Sequence, residues 1–159
     1  MLNMMNETII DFDFLLCYAK YVTKKNEKPI NTGRVITPVG HPNPPESHEV
    51  DAAMILARHF KCKVRFLEPI DDYKRKTADI VMHDIQWEIK SPIGASKSTI
   101  ENQFRRASKQ AKNIIVDTRR TLLDDEKIEK SIIRETKKHS AIRRVILINK
   151  HGKVVELSI

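Results

Sequence analysis

ADIVMHDIQWEIKSP, Ala78–Pro92, sets two short runs rich in β-branched residues on either side of His83-Asp84, the pattern of a β-hairpin. With those two residues as the loop, facing positions sum to one constant and Asp79 stands opposite Glu88. Side chains alternate along a strand, so Asp79, Glu88 and Lys90 share one face while Trp87 and Ile89 point away, toward a core. Directly opposed residues bring their Cβ atoms to about 4.5–5.5 Å, where like charges destabilise. Two facing carboxylates need a cation, and a hard divalent metal on oxygen ligands suits them. Lys90 adds a point charge beside it. A three- or five-residue loop would shift the register and separate the faces. Taken alone, the hairpin also fits an exposed strand whose Asp, Glu and Lys meet only solvent.

Around this stretch lie 159 residues, 40% apolar and 31% charged, enough for a single soluble domain with a proper core. The formal charge of +8 favours an anionic partner, nucleic acid first. Cys17 and Cys62 stand far apart in sequence with no C-x-x-C pair, as expected of thiols in a reducing compartment. No apolar run reaches the length of a membrane span. The start MLNMMNETII lacks a positive n-region and a small-residue cleavage site. The expected place of action is therefore the cytoplasm, with no membrane partner.

Before the hairpin, the apolar spacing from Thr8 to Lys25 predicts a helix, and RVIT (Arg34–Thr37) a short extended piece. After a stiff proline-rich loop, Asn43 as cap, Pro44 in the first turn and Glu46 three residues on predict a helix to about Phe60. Ala53, Leu56, Ala57 and Phe60 form its apolar stripe, and Glu49 falls inside that stripe. A carboxylate there is costly unless paired, hydrogen-bonded or metal-bound; a helix start, where dipole and solvent accommodate it, is the alternative. His41 and His48 lack the partners a zinc site requires and read as loop and cap residues. KVRFLEP (Lys63–Pro69) reads as a strand.

After the hairpin, a helix is expected from about Lys97 to Lys112, with its stripe at Ile100, Phe104, Ala107 and Ala111. Gln103, Arg106 and Gln110 line one edge, which suits either phosphate contact or a solvated face. NIIVD (Asn113–Asp117) reads as a buried parallel strand followed by Arg119-Arg120. Asp124–His139 reads as a helix with charges matched to its dipole. RRVILIN and KVVELS read as a closing hairpin. From Asn43 the order is α-β-β-β-α-β, then α-β-β, in a mixed α/β domain with one sheet.

Glu49 on the first helix, Asp79, Glu88-Ile89-Lys90 and this element order resemble the PD-(D/E)XK nuclease superfamily. HPNPPESHEVDAAMILA, KVRFLEP, ADIVMHDIQWEIKSP and QFRRASKQAKNIIVD look like the C-terminal nuclease toxin domains of contact-dependent growth inhibition (CdiA-type) proteins. The resemblance covers roughly Pro38 to Arg120. It implies a restriction-endonuclease-like core at 41–159 behind an N-terminal extension at 1–40, in one globular unit. It also implies a metal-dependent endonuclease acting on tRNA or DNA, with Glu49, Asp79, Glu88 and Lys90 catalytic. Asp79, Glu88 and Glu49 would hold Mg²⁺ or Mn²⁺, with Zn²⁺ as another candidate. Gln103, Arg106, Gln110 and Lys97 would contact substrate, and Lys74–Lys76 with Arg119-Arg120 the nucleic-acid backbone. A cognate immunity protein is implied as partner, as is a longer parent chain that delivers the domain into target cells. Ala78 stands where the motif has its first proline, a position that is not a ligand. The alternatives are a non-catalytic nucleic-acid-binding module and a DNA-processing endonuclease of a mobile element.

Overall fold

The computed structural model describes residues 7–10 (backbone only), 33–38, 44–68, 77–94, 96 and 98–158. In chain order these form β1 (Glu7–Ile10), β2 (Arg34–Pro38), α1 (Ser47–Phe60), β3 (Lys63–Phe66), β4 (Ile80–Met82) and β5 (Ile85–Lys90). Then come α2 (Ser98–Ala107), β6 (Asn113–Asp117), α3 (Asp125–Lys138), β7 (Arg144–Ile148) and β8 (Val154–Leu157). From α1 onward this is the order read from the sequence. The strands lie side by side in chain order as one eight-stranded mixed sheet. β2/β3, β5/β6 and β6/β7 are parallel, and each of these pairs is joined through a helix, as a parallel connection requires.

The sheet buries both faces. On one, Ala52, Ala53, Leu56 and Ala57 of α1 pack on Val35, Val64, Phe66, Ile80, Met82, Trp87 and Ile89. On the other, Ile100, Phe104 and Ala107 of α2 and Ile128 and Ile132 of α3 pack on Ile114, Val116, Val145 and Leu147. The run NIIVD is continuous because neighbouring residues of β6 serve opposite cores: Ile115 belongs to the first, Ile114 and Val116 to the second. Gly33 opens β2 at φ 80°, and an added Cβ would lie 2.1 Å from the Ala57 carbonyl oxygen. Only glycine admits that approach.

Three expectations need correcting. Thr8–Ile10, assigned to a helix, lie in β1, where Thr8 pairs with Thr37 and Ile9 with Ile36; cross-strand pairing overrides a helical spacing of β-branched residues. The remainder of that expected helix lies outside the described residues, as do His41, Asn43, Lys74–Lys76, Lys97 and Cys17. The helix expected to begin at Pro44 starts at Ser47, capped at Glu46, because a residue that precedes proline, as Pro44 does, is pushed out of the α region. The helix expected to reach Lys112 ends at Ala107. Past it the chain tightens, the Gln110 N–H donating to the Ala107 carbonyl at 2.8 Å, a 3₁₀-type closure.

Candidate active site

The β4–β5 turn sets the geometry. His83 and Asp84 have φ of 51° and 59°, the left-handed pair of a two-residue hairpin loop whose twist matches its strands. Ile80 therefore pairs with Trp87, Val81 with Gln86 and Met82 with Ile85, and the same register places Asp79 opposite Glu88. Asp79 sits one residue before β4, with its N–H donating to the Trp87 carbonyl (3.0 Å) and its carbonyl accepting from Leu67 N–H (2.9 Å). Its carboxylate Oδ2 accepts the Ile89 N–H at 2.6 Å. The backbone thus holds the Asp79 side chain across the hairpin.

Glu88 is fully buried. Its Oε1 accepts a hydrogen bond from Lys90 Nζ, and its Oε2 has no hydrogen-bond partner. Burial raises the Asp79 carboxyl to about 6, against the Ile89 N–H, which favours its ionised form, and with help from the Glu49 charge. Burial likewise raises Glu88 to about 7, followed by repulsion from Asp79, with Lys90 pulling the other way. One ammonium serves two desolvated carboxylates, so a negative charge is left over.

Glu49 comes from the first turn of α1. Its Oε2 accepts the Glu46 N–H at 3.0 Å, so the sequence's two readings of this residue meet here: it closes a capping box and its charge also acts on Asp79 and Glu88. Glu49 and Asp79 line a small cleft of about 100 Å³ with Pro44, Pro45 and Phe66. His48 stays with the cap, its Nδ1 3.2 Å from Glu46 Oε2. Among the described residues no three His, Cys, Asp or Glu side chains converge closely enough to hold a metal. The expected three-carboxylate ligand set is thus not assembled. The Asp79–Glu88 pair, with its unpartnered buried oxygen, does fit a cation such as Mg²⁺, which keeps most of its waters and takes one or two carboxylates.

The other expected residues are dispersed. Gln103 is half-buried and Arg106 exposed on α2, and Gln110 is half-buried in the turn beyond it. Arg120 is exposed, but Arg119 has another occupation. Its Nε and Nη2 donate to the two oxygens of buried Asp117 at 2.9 and 2.7 Å, and its backbone N–H donates to Oδ1 at 3.1 Å. Asp117 follows Val116, the register partner of Lys90, so this fork sits beside the site's end of β5. Thr121 Oγ1 donates to the Gly94 carbonyl at 2.9 Å and fastens the loop after β5 to the loop after β6. None of this was read from the sequence, although Asp-x-Arg at the end of an apolar strand was a usable signal.

Residues 76–154 match the family model for the contact-dependent growth inhibition CdiA C-terminal domain. No curated protein sequence matches the chain. Among solved structures, the CdiA-CT/CdiI toxin and immunity complex from Burkholderia pseudomallei aligns with a TM-score of 0.56 at 20% identity. The alignment covers 70% of this chain and 83% of that one; at this identity it speaks for the fold. The matched segment contains Asp79, Glu88 and Lys90 but not Glu49. Residues 76–154, just under half of the chain, are thus similar to the CdiA C-terminal domain of contact-dependent growth inhibition.

Proposed function

We propose that this domain is a toxic effector of contact-dependent inhibition that hydrolyses nucleic-acid phosphodiester bonds with a divalent metal, on a PD-(D/E)XK-type core. One observation carries the reading: two desolvated carboxylates face each other across a hairpin, one with a buried oxygen left unpartnered, beside a single lysine. Asp79 and Glu88 would hold Mg²⁺ or Mn²⁺, with Zn²⁺ a further candidate, and Glu49 would contribute its charge from the capping box. When bound, the cation supplies Lewis acidity at the phosphate and lowers the pKa of water.

The chain's own groups do the rest. Ile89 N–H fixes the Asp79 carboxylate, so its orientation costs no reorganisation on binding. Lys90, held by Glu88 and only partly exposed, is placed to orient the attacking water or to stabilise negative charge developing on the phosphate. Because Asp79 and Glu88 ionise only near pH 6 and pH 7, cation affinity and cleavage should rise with pH through that interval. The solved neighbour is a complex of toxin with immunity protein, which supports a cognate inhibitor for this domain too. The cytoplasm of a target cell is the expected place of action.

The test is cleavage of total tRNA and of plasmid DNA with Mg²⁺, Mn²⁺, Zn²⁺ or EDTA, beside the Glu88→Ala protein. Metal-dependent cutting of one substrate, lost in the variant, supports the reading and chooses between RNA and DNA. Equal cutting by Glu88→Ala, or cutting in EDTA, sinks it.

A further inference from the structure

Among the described residues, the helices leave part of the sheet uncovered on the side that carries Asp79, Glu88 and Lys90. There α2 and α3 pack over β6 and β7, while α1 covers β3 and β4 only from the opposite side, through Val64, Phe66, Ile80 and Met82. β3 and β4 are interior strands, yet β3 alternates exposed Lys63 and Arg65 with buried Val64 and Phe66. Lys63, Arg65 and half-buried Val81 line a hollow of about 290 Å³, with Cys62, His83 and Asp84 at its hairpin end. Charges on an edge strand commonly guard against strand addition, but β3 is not an edge. Lys63 and Arg65 make no ion pair with another described residue.

Register relates this hollow to the acidic pair. Arg65 is opposite Val81, two residues from Asp79 on the same face, which makes Arg65 and Asp79 diagonal neighbours about 7–8 Å apart. On its other side Arg65 pairs with Ile36, and Lys63 pairs with Arg34. Lys63 and Arg65 are separated by two strand residues, about 6.6 Å, comparable to the step between successive phosphates of one strand. Arg65 and Lys63 thus lie in sequence along β3, from the level of the carboxylates toward the hairpin end of the hollow.

We propose that the exposed face of β3 and β4 is a phosphate track, on which Lys63 and Arg65 bind the nucleic-acid backbone on one side of the bond to be cut. The proposal rests on the phosphodiesterase reading of Asp79, Glu88 and Lys90 and adds to it the path of the substrate. Two exposed cations, with no ion pair to them among the described residues, choose a polyanion as occupant. Phosphate contacts position without reading sequence, so the track is compatible with RNA or DNA, and the two are separate arms of the test.

Binding is measured by fluorescence anisotropy on the Glu88→Ala protein, so that no substrate is consumed. The probes are a labelled stem-loop RNA, the same stem-loop in DNA and a DNA duplex, each over a salt series. Adding Lys63→Ala and Arg65→Ala should reduce the slope of log K against log salt by about 1.4 on a single strand and about 1.8 on a duplex, from two contacts at about 0.7 and 0.9 each. A charge-matched control, Lys130→Ala with Lys137→Ala on α3, should change it less. Far-UV circular dichroism checks that each variant keeps its fold. A slope unmoved by the β3 changes, or moved as much by the control, overturns the track even if the unmodified domain cuts. Absence of salt-dependent binding to every probe overturns it as well. A reduced slope with no cutting by the unmodified domain keeps the track and rejects the hydrolytic reading.

Discussion

Glu88 and Asp117 are both carboxylates with no exposed surface, on neighbouring parallel strands, and their surroundings differ completely. Asp117 has the Arg119 fork on both oxygens and a backbone N–H besides. Glu88 shares one lysine with a second carboxylate and leaves Oε2 without a partner. A buried charge that is fully hydrogen-bonded holds structure together; one left short stores a demand for a ligand. Glu135 on α3 sides with Asp117: burial works against its charge, but hydrogen bonds from Lys138 and Arg134 outweigh that and hold its carboxyl below the ordinary range. Burial alone is therefore not the mark of the site. The mark is burial without enough partners.

The sharpest test of this contrast is to remove each side's charge in turn. Glu88→Gln should lower metal-dependent cleavage by about 10³-fold or more and Lys90→Ala by about 10²–10³-fold, while both proteins keep their circular dichroism spectrum. Retained activity in Lys90→Ala would take that residue out of the mechanism. Arg119→Ala should do the reverse. It strands Asp117 as an unpaired buried charge and should cost about 2–3 kcal/mol in denaturant unfolding, less than a wholly buried pair because Arg119 is partly exposed.

A smaller effect should appear in metal-free protein. The ordinary values of the two acids are 3.8 and 4.5, and the folded values about 6 and about 7. Between them the native state holds protons that the unfolded chain has released. Their contribution to stability is thus full below about pH 4 and is lost as pH rises toward 7. Thermal midpoints of EDTA-treated protein should fall over that range, after allowance for other titrating groups, and Mg²⁺ or Mn²⁺ at pH 7.5 should restore them. Asp79→Asn, which keeps an acceptor for Ile89 N–H, should raise metal-free stability at pH 7.5 by on the order of 1 kcal/mol. A flat profile identical in wild type and Asp79→Asn would show that the pair carries no such strain.

The smallest expected change concerns Glu49. Glu49→Gln retains an acceptor for the Glu46 N–H, so stability should move by no more than about 0.5 kcal/mol. Metal affinity measured by calorimetry should nevertheless fall, because a charge acting on Asp79 and Glu88 is gone. Unchanged affinity would leave Glu49 as a helix cap alone.

The sequence made a good part of this arrangement legible, and for a local reason. A two-residue loop between strands admits one register, and a period of two then assigns Asp79, Glu88 and Lys90 to one face and Trp87 and Ile89 to the other. The three described helices were visible for the same reason, since a stripe at helical spacing needs only neighbouring residues. Errors arose where distant parts of the chain decide. Thr8–Ile10 pair with β2, a relation no window around residue 9 contains. Arg119 looked like a free cation until the fold placed it on Asp117. Lys63 and Arg65 drew no separate reading within their strand, because nothing local says which side of β3 the described helices leave uncovered.

By itself, then, the sequence determined the hairpin, its register and the opposition of two carboxylates beside a lysine, because turn geometry and side-chain alternation act over a few residues. Only the tertiary structure decided which buried acids are satisfied and which one lacks a partner. It also decided that Glu49 caps a helix while its charge acts on the pair, and that β3 shows its cations to solvent. Those outcomes depend on desolvation and on partners supplied by elements far away in the chain.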